Sequence, residues 1–244
     1  MPEPRILVFK NLDELSQAAA REFSSLATQS AAANGLFTVA LSGGSTPKEF
    51  YQLLATPAFK IPWTRVHLFQ VDERCVPPDH PQSNYKMIRE ALLDRAPLPA
   101  ANFHRMAAEQ PDREAAAENY ATELRKTVGA GPGEWPRLDV IFLGMGEDGH
   151  TASLFPGTAA LNERERAVCP NYVEKLKMYR LTLTLPTLNA AARAVFLVAG
   201  EAKAETVRQV LRSTDGTPPF PSQRIQPAYG SVTWYLDAAA ARLL

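Results

Sequence analysis

The sequence predicts an α/β protein: a Rossmann-like open, mostly parallel sheet with helices on both faces, in a single domain spanning 1–244. Three observations predict it. Apolar runs at 36–41 (LFTVAL), 138–143 (LDVIFL, broken only by Asp139) and 194–199 (AVFLVA) lack polar alternation, as parallel strands buried on both faces do. Strand-like and helix-like segments alternate along the chain, giving six or seven strands. A chain of 244 residues is long enough for one sizeable core.

Residues 5–10 form a first short strand. Asn11 then suits an N-cap with Glu14 at N3. Leu12, Leu15, Ala19, Phe23 and Leu26 follow at helical spacing, and Asn34-Gly35 ends the helix. The strand at 36–41 runs into Ser42-Gly43-Gly44-Ser45-Thr46-Pro47. Thr46 suits N-cap, Pro47 N1 and Glu49 N3 of a helix through Leu54. A third strand, 65–71, ends in Asp72-Glu73-Arg74, and its His67 reads as packed or surface. Ser83 caps a helix through Tyr85, Ile88, Leu92 and Leu93. Residues 98–106 form a loop with a short strand, 112–128 a long helix, and 129–136 (GAGPGEWP) a loop or hinge. After the run at 138–143 come an alternating, half-buried strand at 179–185 and a short helix at 186–193. The buried strand at 194–199 follows, then a helix at 201–212 opened by Gly200. A proline-rich loop at 214–223 has no structure of its own, and 231–236 is the final strand.

Lys plus Arg and Asp plus Glu number 26 each, for a net charge of zero. That balance lacks the electrostatic footprint of a general nucleic-acid binder. Cys75 and Cys169 fit no metal-ligand or CxxC spacing, so two reduced thiols in a cytoplasmic protein are expected. The N-terminal apolar run is too short for a signal peptide. No window approaches the ~20 apolar residues that span a bilayer.

Two stretches carry candidate chemistry. Gly43 and Gly44 let backbone N–H groups approach a ligand, Ser42, Ser45 and Thr46 add hydroxyls, and a helix N-terminus follows. That is an anion site in waiting, though a plain capped turn has the same spelling. The second stretch is 144–150, Gly-Met-Gly-Glu-Asp-Gly-His, just past the strand at 138–143. It spells G-x-G-x-x-G, but Pro156-Gly157 interrupts what should be a helix, and no second strand ends in an acid; a nicotinamide site is rejected. Loops past the carboxyl ends of strands are where ligands bind in such sheets. His150, with Asp148 two residues before it, is therefore a candidate general base. Asp72 and Arg74 sit at another strand's carboxyl end, either as an anion-binding group or as a local ion-pair cluster. Asn84, in a first helical turn, can face the same cleft. Arg180 and Lys203 are further candidates; on the residues alone, Lys203 either points to water or meets an anion. With no nucleophile elbow and no zinc spacing, metal-free, non-covalent chemistry is expected.

GMGEDGHTASLFPGT resembles the signature of the 6-phosphogluconolactonases and, more distantly, the glucosamine-6-phosphate deaminase loop. LSGGSTPKEFYQLL, QVDERCVPPDHPQSNYKMI, RLTLTLPTLNAA and VFLVAGEAKAETVRQVL resemble further blocks of the lactonase family, in its order. The resemblance implies hydrolysis of 6-phospho-D-glucono-1,5-lactone to 6-phosphogluconate, in the oxidative pentose phosphate pathway, without metal or coenzyme. It implies that His150 activates water, that Asp148 orients His150, and that 43–46 with Arg74, Arg180 and Lys203 hold the phosphate. The expected partner is a small sugar-phosphate lactone, with no nucleic acid or membrane, for a monomer or weak homo-oligomer in the cytoplasm. A deaminase/isomerase is the rival enzyme. It carries Tyr where this chain has Arg74 and a working Glu within the stretch matching 153–156 (SLFP). A non-catalytic sugar-phosphate sensor is the rival of another class; it could dispense with His150.

Overall fold

The computed structural model describes residues 3–212 and 220–244. In chain order the strands are β1 (Arg5–Phe9), β2 (Phe37–Leu41), β3 (Val66–Gln70), β4 (Asp72–Arg74), β5 (Phe103–His104), β6 (Val140–Leu143), β7 (Val168–Val173), β8 (Met178–Leu183), β9 (Arg193–Val198) and β10 (Ser231–Asp237). The helices are α1 (Leu12–Asn34), α2 (Ser45–Leu54), α3 (Asn84–Ile88), α4 (Arg113–Val128), α5 (Leu185–Ala190) and α6 (Ala204–Arg212). Seven strands form one sheet in the order β1-β10-β9-β6-β2-β3-β5, and every pairing in it is parallel.

Period-2 alternation divides the sheet's side chains between two cores. Val39, Leu41, Leu68, Phe142, Val195 and Leu197 pack against α1 and α2. Ala40, Phe69, Ile141, Leu143, Phe196 and Trp234 pack against α4, α5 and α6. Both faces are apolar and both are covered, which is why the strands read as continuous hydrophobic runs. Asp139 does not interrupt the packing: its carboxylate accepts from Thr38 N (2.8 Å) and Thr38 Oγ1 (2.9 Å), fastening the entry of β6 to β2.

The strand order fixes where a ligand can sit. The chain steps from β2 outward to β3 and β5, then returns to place β6 on the other side of β2. The loops after β2 and β6 therefore diverge, opening a crevice at the carboxyl ends of the strands.

Several expectations are corrected. The strand expected at 179–185 is β8, and it lies outside the main sheet. It is the centre of a three-stranded antiparallel sheet, β4-β8-β7, built over the crevice. β7 has no counterpart in the sequence reading. Thr46 is not an N-cap: the cap is Gly44, at φ 112°, and α2 begins at Ser45, so Pro47 falls at N3. Residues 201–203 form a 3₁₀ turn leading into α6. Of the proline-rich loop, 214–219 lie outside the described residues, whereas Pro221–Arg224 form one 3₁₀ turn. Asn11, Ser83 and Asp112 each accept from a first-turn N–H, as N-caps do. Among the described residues no helix is long and apolar enough to cross a membrane.

Candidate active site

A cleft of about 230 Å³ opens at the carboxyl ends of β2, β6 and β9, roofed by the small sheet. Eleven of the twelve anticipated site residues line it: Ser42, Gly43, Gly44, Ser45, Thr46, Asp72, Arg74, Asn84, His150, Arg180 and Lys203. The twelfth, Asp148, stands behind His150 and is bonded to it.

One wall is the turn from β2 into α2. Gly44 takes a φ of 112°, a region L side chains rarely adopt. Gly43 is required for another reason: a Cβ there would lie 1.7 Å from Asn84 Oδ1. With Gly44 as cap there is no side-chain cap bond, so the unpaired N–H groups of the first turn face a site that favours negative charge.

The second wall comes from the small sheet. Arg74 on β4 and Arg180 on β8 are directly opposed in the antiparallel register. Like charges in that position repel. Both guanidinium Nε atoms are buried, and neither has a hydrogen-bond partner among the described residues. Arg74 donates through Nη1 to Gln82 O at 2.6 Å, while Arg180 Nη1 lies 3.9 Å from Asp72 Oδ2. Burial lowers the Arg180 guanidinium from its ordinary value, partly countered by Asp72. Two opposed arginines with unused donors suit an anion placed between them. Lys203, 3.7 Å from Glu147, adds a third cation at the end of β9.

Asp72 and Glu73 have separate tasks. Asp72 is buried and accepts from Ser153 Oγ (2.6 Å) and Asn84 Nδ2 (3.2 Å). Its charge makes it a partner for hydroxyl groups or for Arg180, not for a phosphate. Glu73 points away from the cleft. It accepts from the backbone N–H of Arg74, Asn84 and Tyr85 (2.8, 2.7 and 2.7 Å) and from Ser83 Oγ and Gln70 Nε2. It thus supplies negative charge to the N-terminus of α3 and holds Asn84 against the cleft.

The third wall carries the imidazole. Asp148 Oδ1 lies 2.5 Å from His150 Nδ1, and Asp148 Oδ2 accepts from Lys175 Nζ. Burial alone would raise the Asp148 carboxyl, but the bonds from His150 and Lys175 overcome it and hold the group well below the usual carboxylate range. An ionised carboxylate only accepts, so Nδ1 carries a proton, and in the neutral imidazole the lone pair then lies on Nε2. Phe155 stacks on the imidazole at 4.0 Å between centroids, with 20° between planes. Gly146 faces the ring so closely that a Cβ would lie 2.1 Å from Nδ1. Gly149 turns the loop at φ 70°, and a Cβ there would strike Phe220. Ala152, at φ 51°, is a non-glycine residue in the left-handed region two residues after His150.

Sequence reasoning missed three contributors: Lys175, Phe155 and Ser153. Phe155 and Ser153 stand inside the GHTASLFP block, so their place was visible though not their contacts. Lys175 had no signal. Among the described residues no group of three or more His, Cys, Asp or Glu side chains is arranged to hold a metal ion. Cys75 and Cys169 are both free, and burial pushes the Cys169 thiol up to about 12. His67 is bonded to His104 (3.0 Å), which reaches Glu123 (2.7 Å), outside the cleft.

A model of the family described as glucosamine-6-phosphate isomerases/6-phosphogluconolactonase matches residues 10–234. The chain is 46% identical to a 6-phosphogluconolactonase of Nostoc sp. over 206 residues, 84% of each chain. It is 39% identical to a 6-phosphogluconolactonase of Synechocystis sp., over 99% of this chain and 98% of the other. The structure of the 6-phosphogluconolactonase from Trypanosoma cruzi superposes with a TM-score of 0.88 at 30% identity, covering 99% and 97% of the two chains.

Proposed function

The chain belongs to the family of glucosamine-6-phosphate isomerases and 6-phosphogluconolactonases, and from that premise we propose that it hydrolyses 6-phospho-D-glucono-1,5-lactone to 6-phospho-D-gluconate, with His150 as general base. The observation that carries the reading is the Asp148–His150 pair, which leaves Nε2 basic on the wall of a cleft whose other walls hold three cations and a helix N-terminus.

In this reading the first turn of α2, Arg74, Arg180 and Lys203 bind the phosphate and fix the lactone's distance from the imidazole. Asp72 and Asn84 meet sugar hydroxyls. His150 Nε2 takes a proton from water as its oxygen bonds to C1, and the carbonyl electrons move to oxygen. When the tetrahedral intermediate collapses, the C1–ring-oxygen bond breaks and imidazolium returns the proton to the departing ring oxygen. The carboxylic acid product ionises, releasing one proton. Asp148 stabilises the transient imidazolium by charge and holds its tautomer. The reaction would be the lactone-opening step of the oxidative pentose phosphate pathway, in the cytoplasm.

The lactonase reading is preferred to deamination because residues 153–156 offer no further acid. Ser153 is bonded to Asp72 and Phe155 is stacked on His150. Proton transfer between sugar carbons needs that acid.

The test generates the δ-lactone in situ and follows acid release with wild type, with His150→Ala and without protein. Wild type should accelerate hydrolysis and the variant should lose roughly 10²–10⁴-fold of the rate. Equality of wild type with the protein-free control would sink the assignment.

A further inference from the structure

We propose that Lys175 is a positioning residue for the His150 base, acting through Asp148. The proposal rests on the catalytic reading of His150 given above. Lys175 lies between β7 and β8, in the 3₁₀ turn Glu174–Leu176, and Lys177 closes that turn with φ 49°. From there its ammonium group reaches across to Asp148, 27 residues earlier in the chain.

The carboxylate's two oxygens are divided between two partners. Oδ1 receives His150 Nδ1 and, at 3.3 Å, the His150 backbone N–H. Oδ2 receives Lys175, its one hydrogen-bond donor among the described residues. The terminal torsion of an aspartate is broad and roughly twofold. Without a donor on Oδ2 the plane of the carboxylate is set by the imidazole alone, and imidazole and carboxylate can turn together. The same ammonium group lies 5.1 Å from the centroid of Phe155, the ring stacked on His150. One side chain therefore touches both groups that hold the base.

Lys175 does not line the cleft, so its action on substrate is indirect. Its charge has a second effect. During turnover imidazolium and ammonium share one carboxylate, and the ammonium opposes proton uptake by the dyad. Removing it should make the dyad easier to protonate, so activity is lost at a higher pH on the acid side. Half of the Lys175 side chain is exposed, so the change should be modest and the fold should tolerate substitution.

The experiment compares wild type, Lys175→Met and Lys175→Arg across pH in the δ-lactone assay. Lys175→Met should lower kcat roughly 10- to 100-fold with KM within about twofold. Its acid limb of kcat/KM should move up by a few tenths of a pH unit or more, on the order of a pKa change from one screened charge. Lys175→Arg, which keeps charge and donor, should restore most of the rate and the wild-type limb. An active wild type with an unchanged Lys175→Met profile overturns the proposal and leaves the lactonase reading standing. A fall in rate with no movement of the limb and no rescue by arginine overturns it too, since a merely structural hairpin contact behaves that way. A wild type no faster than the protein-free control removes the catalytic reading, and the proposal falls with it.

Discussion

Gly146→Ala should silence the proposed His150 base without unfolding the protein. A methyl group at this position would stand 2.1 Å from His150 Nδ1, 2.2 Å from Cε1 and 2.7 Å from Asp148 Oδ1. The first two are more than about 1 Å inside ordinary carbon contact. Gly146 does not have positive φ, and its backbone bonds to His150 O (2.9 Å) and from Gly149 N (3.0 Å) do not involve the side chain. The backbone therefore accepts alanine, and the imidazole and carboxylate must give way. A shift of about 1 Å takes a 2.5 Å contact beyond useful hydrogen-bond length. Misplacement on that scale costs on the order of 10²-fold in rate, and complete loss of a general base up to about 10⁴-fold. The expected result is a fall in kcat between these bounds, a thermal midpoint within a few degrees of wild type, and unimpaired binding of 6-phosphogluconate measured by calorimetry. The groups proposed to bind the phosphate, the first turn of α2 with Arg74, Arg180 and Lys203, lie on other elements, so binding should survive. A Gly146→Ala protein retaining more than about a tenth of wild-type kcat would refute the reasoning.

Two further outcomes follow from polar groups that do not line the cleft. Glu73→Ala strips the acceptor from three backbone N–H groups and two side chains; with water partly replacing the carboxylate, urea unfolding should show a loss of roughly 3–5 kcal/mol, and a loss below about 1 kcal/mol would contradict the hub role. The pH dependence of stability should carry a contribution from His67, whose pKa is lowered by burial and then by His104. The unfolded chain binds that proton below about pH 6.5 while the folded chain resists it, so stability falls with falling pH from there until the lower folded pKa is passed. His67→Gln should flatten that part of the curve, and an unchanged slope in denaturant titrations would count against it.

What the sequence made legible follows from how its signals arise. β2, β6 and β9 are buried on both faces, so their apolar runs stood out. β7 did not, because Pro170 and Asn171 fall inside VCPNYV. Proline is tolerated there since β7 is an edge of the small sheet, and Asn171 spends its amide on Ser153 O and Thr158 Oγ1. The glycine turn reads as an anion cradle, yet its spelling places the start of the helix two residues later than the structure does. Thr46 has the chemistry of a cap, but Gly44 has the dihedral angle. Asp148 and His150 were legible because both stand in one short loop. Lys175 was not: a lysine in a charged turn looks like any other until the hairpin folds it onto Asp148.

The three charges of β4 illustrate how much rests on parity. Adjacent residues of a strand point to opposite sides, so Asp72 and Arg74 serve the cleft while Glu73, between them, serves the N-terminus of α3. The two jobs share three consecutive residues without sharing a face. Substitution at 72 or 74 leaves the anchor of α3 in place, and substitution at 73 leaves both cleft charges present but loosens the ground beneath Asn84. A one-residue deletion before Asp72 is different in kind. It would bring the carboxylate of Glu73 to the cleft, put Arg74 where Glu73 meets the positive end of α3, and leave Arg180 opposite Cys75, so that the strand gives the cleft an acid and no cation.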